Sequence, residues 1–154
     1  SESPASAPAV LSVVNRFLLW LGKFHLLLIH FPIALVIAAG FAEVLSFWQQ
    51  TPNPSVRFCL WLAALAAIPT AGFGWLFAAA GNGAGSPQLL TAHRWLGTAA
   101  AVCLVITAIA AERDASRGRR GNFVRLLLTL CIFMTAIAAH FGGLLARGAD
   151  FFNY

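Results

Sequence analysis

The sequence predicts an all-α membrane protein: an up-down bundle of four transmembrane helices, preceded by an N-terminal interfacial amphipathic helix. Three observations predict it. Of 154 residues, 60% are hydrophobic and only 10% are charged, whereas a soluble domain is about one quarter charged. Four apolar stretches each reach the roughly 20 residues a helix needs to cross a bilayer core of about 30 Å. The connections between them are short, which makes successive helices antiparallel neighbours. This composition excludes a disordered chain, a soluble enzyme domain and a nucleic-acid-binding fold. The net charge of +5 does not point to nucleic acid, because the Lys and Arg residues flank apolar runs as membrane anchors do.

The elements follow in chain order. Residues 1–9 read SESPASAPA and lack the basic start and apolar centre of a signal peptide, so Ser1 reads as a mature start or the edge of an excised domain. Residues 10–22 mix apolar residues with Asn15 and Arg16 and carry Trp20, a pattern suited to a helix lying on the membrane surface. Residues 1–23 thus form one segment and residues 24–147 the bundle, with 148–154 as a tail. The spans run over 24–48, 56–80, 89–111 and 123–145. QQTPNPS separates the first two, GNGAGSPQ the second and third, and ERDASRGRRG the last two; Pro, Gly and the charge run mark these as turns. Trp48, Trp61, Trp75 and Trp95 fall near the span ends, as an aromatic belt would.

Charge orients the bundle. Arg57, Arg113, Arg117, Arg119, Arg120 and Arg125 cluster around the first and third connections, which places those in the cytoplasm. The localisation that follows is a multi-pass protein of a bacterial inner membrane with both termini periplasmic. Arg16, Lys23, Arg94 and Arg147 run against this bias. The run Arg117, Arg119, Arg120 reads as an anchor on anionic membrane lipid. Glu43 reads as a paired structural carboxylate, with proton relay to a quinone as the alternative.

Cysteine carries little signal. Cys59, Cys103 and Cys131 each stand alone in an apolar run, with no CxxC or CxxCH, and read as small buried hydrophobes.

Histidine carries more. His25, His30, His93 and His140 are the only histidines, and the topology puts all four in the outer half of the bundle. Ionisable residues inside a span are costly and usually functional, and neutral imidazole ligates haem iron and other transition metals. No Asp or Glu lies at this level within a span, which argues against hard-cation and di-iron carboxylate sites. Small residues stand beside the histidines, where a porphyrin plate needs room: Gly97 after His93, Ala34 after His30, and Ala136, Gly142 and Gly143 around His140. Phe24, Phe31, Phe141 and Trp95 could wall the plate. Arg94 and Arg147, with Arg16 and Lys23, are placed for its propionates. Gly72 and Gly74, with Pro69, read as helix packing and a kink. His25 and His30 are five residues apart and point in different directions on one helix. Two arrangements therefore stand: two bis-histidine haems using all four histidines, or one haem using two of them. Pro32 either kinks the first span or sits in its first turn.

The stretches FHLLLIHFPIAL, AHRWLG and AHFGGLLARGADFF resemble an uncharacterised bacterial membrane-domain family with four spans and these histidine motifs. Its members often occur fused or adjacent to periplasmic c-type cytochrome domains. The resemblance extends over 24–152 and implies haem b held by His25, His30, His93 and His140. These 154 residues hold no CxxCH, so the resemblance implies an electron partner on another chain or in a part of the protein outside this sequence.

Together these readings lead to a b-type cytochrome subunit carrying one or two haems. Its partners would be a c-type cytochrome or other redox subunit, quinone and membrane lipid. The rival readings are a copper or other soft-metal transport or sensing protein, which needs a polar path the inner half-spans scarcely offer, and a structural anchor whose histidines bind nothing.

Overall fold

The computed structural model describes residues 12–49, 51–79 and 86–148. Six helices make up this part of the chain: α1 (Val13–Gly22), α2 (Phe24–Leu28), α3 (His30–Leu45), α4 (Pro54–Ala79), α5 (Pro87–Ser116) and α6 (Asn122–Arg147). Residues 1–11, the tip of the GNGAGSPQ turn and the tail beyond Gly148 lie outside the described residues.

Four stretches are long and apolar enough to cross a membrane: Val13–Leu45, Pro54–Ala79, Pro87–Ser116 and Asn122–Arg147. The protein is an all-α four-helix bundle of the multi-pass membrane type. Neighbouring helices pack in a ring, α3 on α4, α4 on α5, α5 on α6 and α6 back on α3. Helices α3 and α5 therefore stand on one diagonal and α4 and α6 on the other.

The packing is that of a protein in lipid. The bundle centre is built largely of small residues, including Ala39, Ala63, Ala64, Ala67 and Ala108, around Leu60, Leu104 and Val36. Phe41, Leu65, Leu126 and Phe133 point outward. Lipid tails are as apolar as leucine, so burial of large side chains gives no advantage; close backbone approach does. Cys103 and Cys131 are buried in this centre and Cys59 is half-buried, as small hydrophobes. The Cys131 and Cys103 Sγ atoms lie 2.9 Å apart. Thr107 Oγ1, 3.3 Å from Cys131 Sγ, donates to the Cys103 carbonyl at 2.7 Å.

Two boundaries differ from the sequence reading. The third helix runs on through Glu112 to Ser116, because the end of hydrophobicity is not the end of helix propensity: Glu, Arg and Ala all favour helix. The turn that breaks it centres on Gly118, with φ +61°, a backbone conformation glycine adopts freely. At the other end of the chain, α1, α2 and α3 follow one another without a linker. Lys23 and Ile29 keep right-handed helical angles, so positions 23 and 29 are bends within one helical path from Val13 to Leu45. Helix α1 lies against α4, and Gly22 permits the contact: a Cβ there would come within 2.6 Å of the Phe77 backbone nitrogen. Valines and aromatics of α1 (Val13, Phe17, Trp20) stay exposed. Pro32 falls in the first turn of α3, where its missing N–H costs little.

Helix ends carry their own signals. Ser12 and Ser86 cap α1 and α5, accepting from the N–H groups of Asn15 and Leu89, and Pro87 opens α5 in the position proline favours. Asn53 Oδ1 accepts from Ser55 N–H at the start of α4.

The end of the bundle near the 49–53 and 117–121 connections is tied by ions. Glu43 lies 2.8 Å from Arg120 and 2.7 Å from Arg125, and Glu112 lies 2.6 Å from Arg57. Glu43 is thus a paired structural carboxylate. Arg120 also donates to Gln49 O at 3.0 Å and to Glu43 O at 3.3 Å, carbonyls near the end of α3 where the helix's own donors run out, and to the Ser46 carbonyl, which it shares with the Gln49 N–H.

Candidate functional site

The histidine level lies in the opposite half of the bundle from these ion pairs. His25 sits on α2, one short helix ahead of the bend at Ile29. Its Nδ1 is 2.8 Å from the Thr70 carbonyl of α4. His93 sits on α5, and its Nδ1 is 2.9 Å from the Ala138 carbonyl of α6. A carbonyl oxygen only accepts, so Nδ1–H is the donor in both rings. That fixes the tautomer and leaves each Nε2 with its lone pair, the arrangement that outer hydrogen bonds give to metal-binding histidines. The two rings meet across the diagonal, with centroids 6.1 Å apart and planes at 80°.

Glycine makes both seats. A Cβ on Gly74 would stand 2.9 Å from His25 Nδ1, and one on Gly142 would stand 3.0 Å from His93 Cε1. Each glycine lies one turn beyond the carbonyl its histidine bonds, so the ring approaches the helix where no side chain stands in its way. Gly74, which reads in the sequence as helix packing, is therefore the seat of His25. Gly142 stands two residues from His140 in the sequence, but its contact is with His93. At Gly97 and Gly143 an added Cβ would meet open space.

The remaining sequence-predicted site residues fall around this pair. His30 and His140 are exposed, and the His140 ring lies tilted beside Phe141 with centroids 6.2 Å apart. The structure thus brings His25 and His93 together and leaves His30 and His140 on the outside of their helices. Arg94 stacks its guanidinium 3.8 Å above the Trp75 ring. Trp75 is in turn held by its Nε1–H donating to Thr98 Oγ1 at 3.0 Å, with Trp95 packed edge-on against it. Arg94 Nε is buried and has no hydrogen-bond partner among the described residues. A buried donor of a charged group is costly to leave unmade, and a carboxylate would satisfy it. Arg147 occupies the last turn of α6.

The donor set limits the chemistry. Among the described residues, no three His, Cys, Asp or Glu side chains gather to hold a metal ion. A structural zinc needs four protein ligands and a catalytic zinc three. Two oriented imidazoles instead complete a centre that brings its other ligands with it, as haem does. If both Nε2 atoms faced one metal, two metal–nitrogen bonds of about 2 Å plus the ring radii would put the centroids roughly 6 Å apart; the observed separation is 6.1 Å. By donor set, spacing, tautomer and the orphaned Arg94 nitrogen, these residues fit a haem.

No family model, curated protein or solved structure matches this chain.

Proposed function

We propose that this chain is a b-type cytochrome subunit of a bacterial inner membrane, passing electrons near the periplasmic face within a larger redox complex. That complex would link c-type cytochromes and the quinone pool, in keeping with the family the histidine motifs resemble. The observation that carries the reading is the His25–His93 pair: two imidazoles from diagonal helices, each fixed by a backbone carbonyl and each with Nε2 left to ligate.

Haem b, when bound, would supply one-electron redox chemistry; the chain supplies position and surroundings. His25 and His93 would hold the iron. The Thr70 and Ala138 carbonyls would keep both rings in the ligating tautomer and raise their basicity. Arg94 would bind a propionate carboxylate through the buried Nε. The apolar spans would exclude water and so set the potential, since burial is one of the levers a protein has on a haem. The concentration of arginine at the far end supports the orientation with both termini periplasmic.

The test is a reduced-minus-oxidised absorption spectrum of the purified chain, with haem counted per chain. A b-type spectrum at one or two haems per chain is the expected result. A folded chain without haem, made under ample haem supply, would overturn the reading; metal analysis would then decide between a soft-metal site and an inert anchor.

A further inference from the structure

The two hairpins carry one device twice, at one spacing. His25 and Thr70 are 45 residues apart, and so are His93 and Ala138. A shift of 68 residues carries His25 onto His93, Thr70 onto Ala138 and Gly74 onto Gly142. The same shift carries Val56, Arg57 and Leu60 onto Val124, Arg125 and Leu128. It also carries Ala71, Phe73, Leu76 and Ala78 onto Ala139, Phe141, Leu144 and Ala146. Burial repeats with the letters, and repeats where the letters differ. Val36 and Leu104, Ala39 and Thr107, Leu60 and Leu128, and Ala63 and Cys131 are matched by the shift, and all are at most 2% exposed.

Topology agrees. A two-fold axis along the bundle would exchange the first span with α5, and α4 with α6. It would turn the α3–α6 contact into the α5–α4 contact, and both exist. The ion pairs at the far end obey the same exchange: Arg125 of α6 reaches back to Glu43 of α3, and Arg57 of α4 reaches across to Glu112 of α5. Under the shift Glu43 lands on Ala111, one residue short of Glu112, which is within the slack of a helix end. His30 lands on Thr98, and His140 descends from Gly72; neither has a counterpart, and both are exposed.

We propose that the chain is a tandem duplication of one helical hairpin with a single binding site on its pseudo-two-fold axis, where the Nε2 atoms of His25 and His93 ligate the iron of one haem b while His30 and His140 stay outside its coordination. A residue on such an axis meets its own duplicate, which is why two diagonal helices that make no close backbone contact present their histidines to each other. This inference rests on the haem reading for the identity of the ligand; the shared axis stands on the geometry alone.

The experiment is a variant series on the full chain, read by haem per chain and by electron paramagnetic resonance of the oxidised iron. One haem per chain with a low-spin bis-imidazole signal is expected in the wild type. His25→Ala and His93→Ala should each lose that signal, with recovery on adding free imidazole, and His93→Met should retain haem with an altered spectrum. His30→Ala and His140→Ala should keep one haem and the wild-type signal. Two haems per chain, or loss of signal in the His30 or His140 variants with retention in the other two, would overturn the proposal. A second measurement needs no haem. Chains carrying His25→Cys and His93→Cys together are treated with a short bifunctional methanethiosulfonate, and the linked peptides are identified by mass spectrometry. Linkage at 25 and 93 is expected, and its absence would refute the axis. Linkage in a chain whose wild type takes up no haem would refute the haem reading and leave the axis intact.

Discussion

Adjacent glycines on α6 should respond in opposite directions to the same substitution. Gly143→Ala adds a methyl group into open space and replaces a poor helix former with the best one, a gain of about 1 kcal/mol in a helix interior. Gly142→Ala makes the same gain, but its Cβ would stand 3.0 Å from His93 Cε1. The ring cannot withdraw freely, because the 2.9 Å bond from Nδ1 to Ala138 O holds it. Overpacking of this kind costs about 1–3 kcal/mol, and stretching out the hydrogen bond costs about 1 kcal/mol more. The net for Gly142→Ala is a loss of about 1–3 kcal/mol, so the two variants should differ by about 2–4 kcal/mol. For a chain of this size that is a gap on the order of 10 °C in the unfolding midpoint. The assay is thermal unfolding in one detergent, with haem retention measured alongside; loss of an outer-sphere orienting contact typically weakens a metal site about 10–100-fold. If Gly142→Ala is tolerated as well as Gly143→Ala in both readouts, His93 is not seated on α6 as described.

Three further outcomes are expected. Glu43→Gln should cost about 3–5 kcal/mol, because it removes the one carboxylate facing Arg120 and Arg125 and leaves their charge uncompensated where the Arg120 side chain is only 7% exposed, whereas Glu112→Gln should be much milder, because that carboxylate is 46% exposed and its pair is screened by solvent; chemical unfolding of the two variants in parallel checks this. Leu60→Ala and Leu128→Ala should be equally damaging, about 2–5 kcal/mol each, since they occupy matched positions at 0% and 2% exposure; a large inequality would speak against equivalent hairpins. Gly22→Ala should loosen α1 from α4, because the clash there is with the Phe77 backbone, which cannot swing aside as a side chain can; faster hydrogen exchange confined to α1 would report it.

The parts of this fold that depend on hydrophobicity are legible in the sequence. Four spans, their short connections and their antiparallel order follow from runs of apolar residues and the polar turns between them. Helix ends are less legible: α5 continues through Glu112 to Ser116 because Glu, Arg and Ala in the ERDAS run favour helix and no strong breaker comes before Gly118. The site is legible as residues but not as pairs. Imidazole stands out in an apolar span, so all four histidines are conspicuous. What selects His25 and His93 is a hydrogen bond to a main-chain carbonyl, and carbonyls have no letter. Gly74 resembles any packing glycine for the same reason. One signal was present and is readable without coordinates: the AxFGxLxA pattern of 71–78 recurs at 139–146.

The arginine clamp also sets an order of events. When the first two spans have left the ribosome, the carboxylate of Glu43 has neither of the two arginines it pairs with. Arg120 and Arg125 arrive only with the last connection and the last span. Until then the leading hairpin holds an uncompensated charge at the membrane boundary, and Arg57 waits for Glu112 in the same way. The first half of the chain is therefore inserted in debt to the second, and the four helices lock together only once the final one is in place.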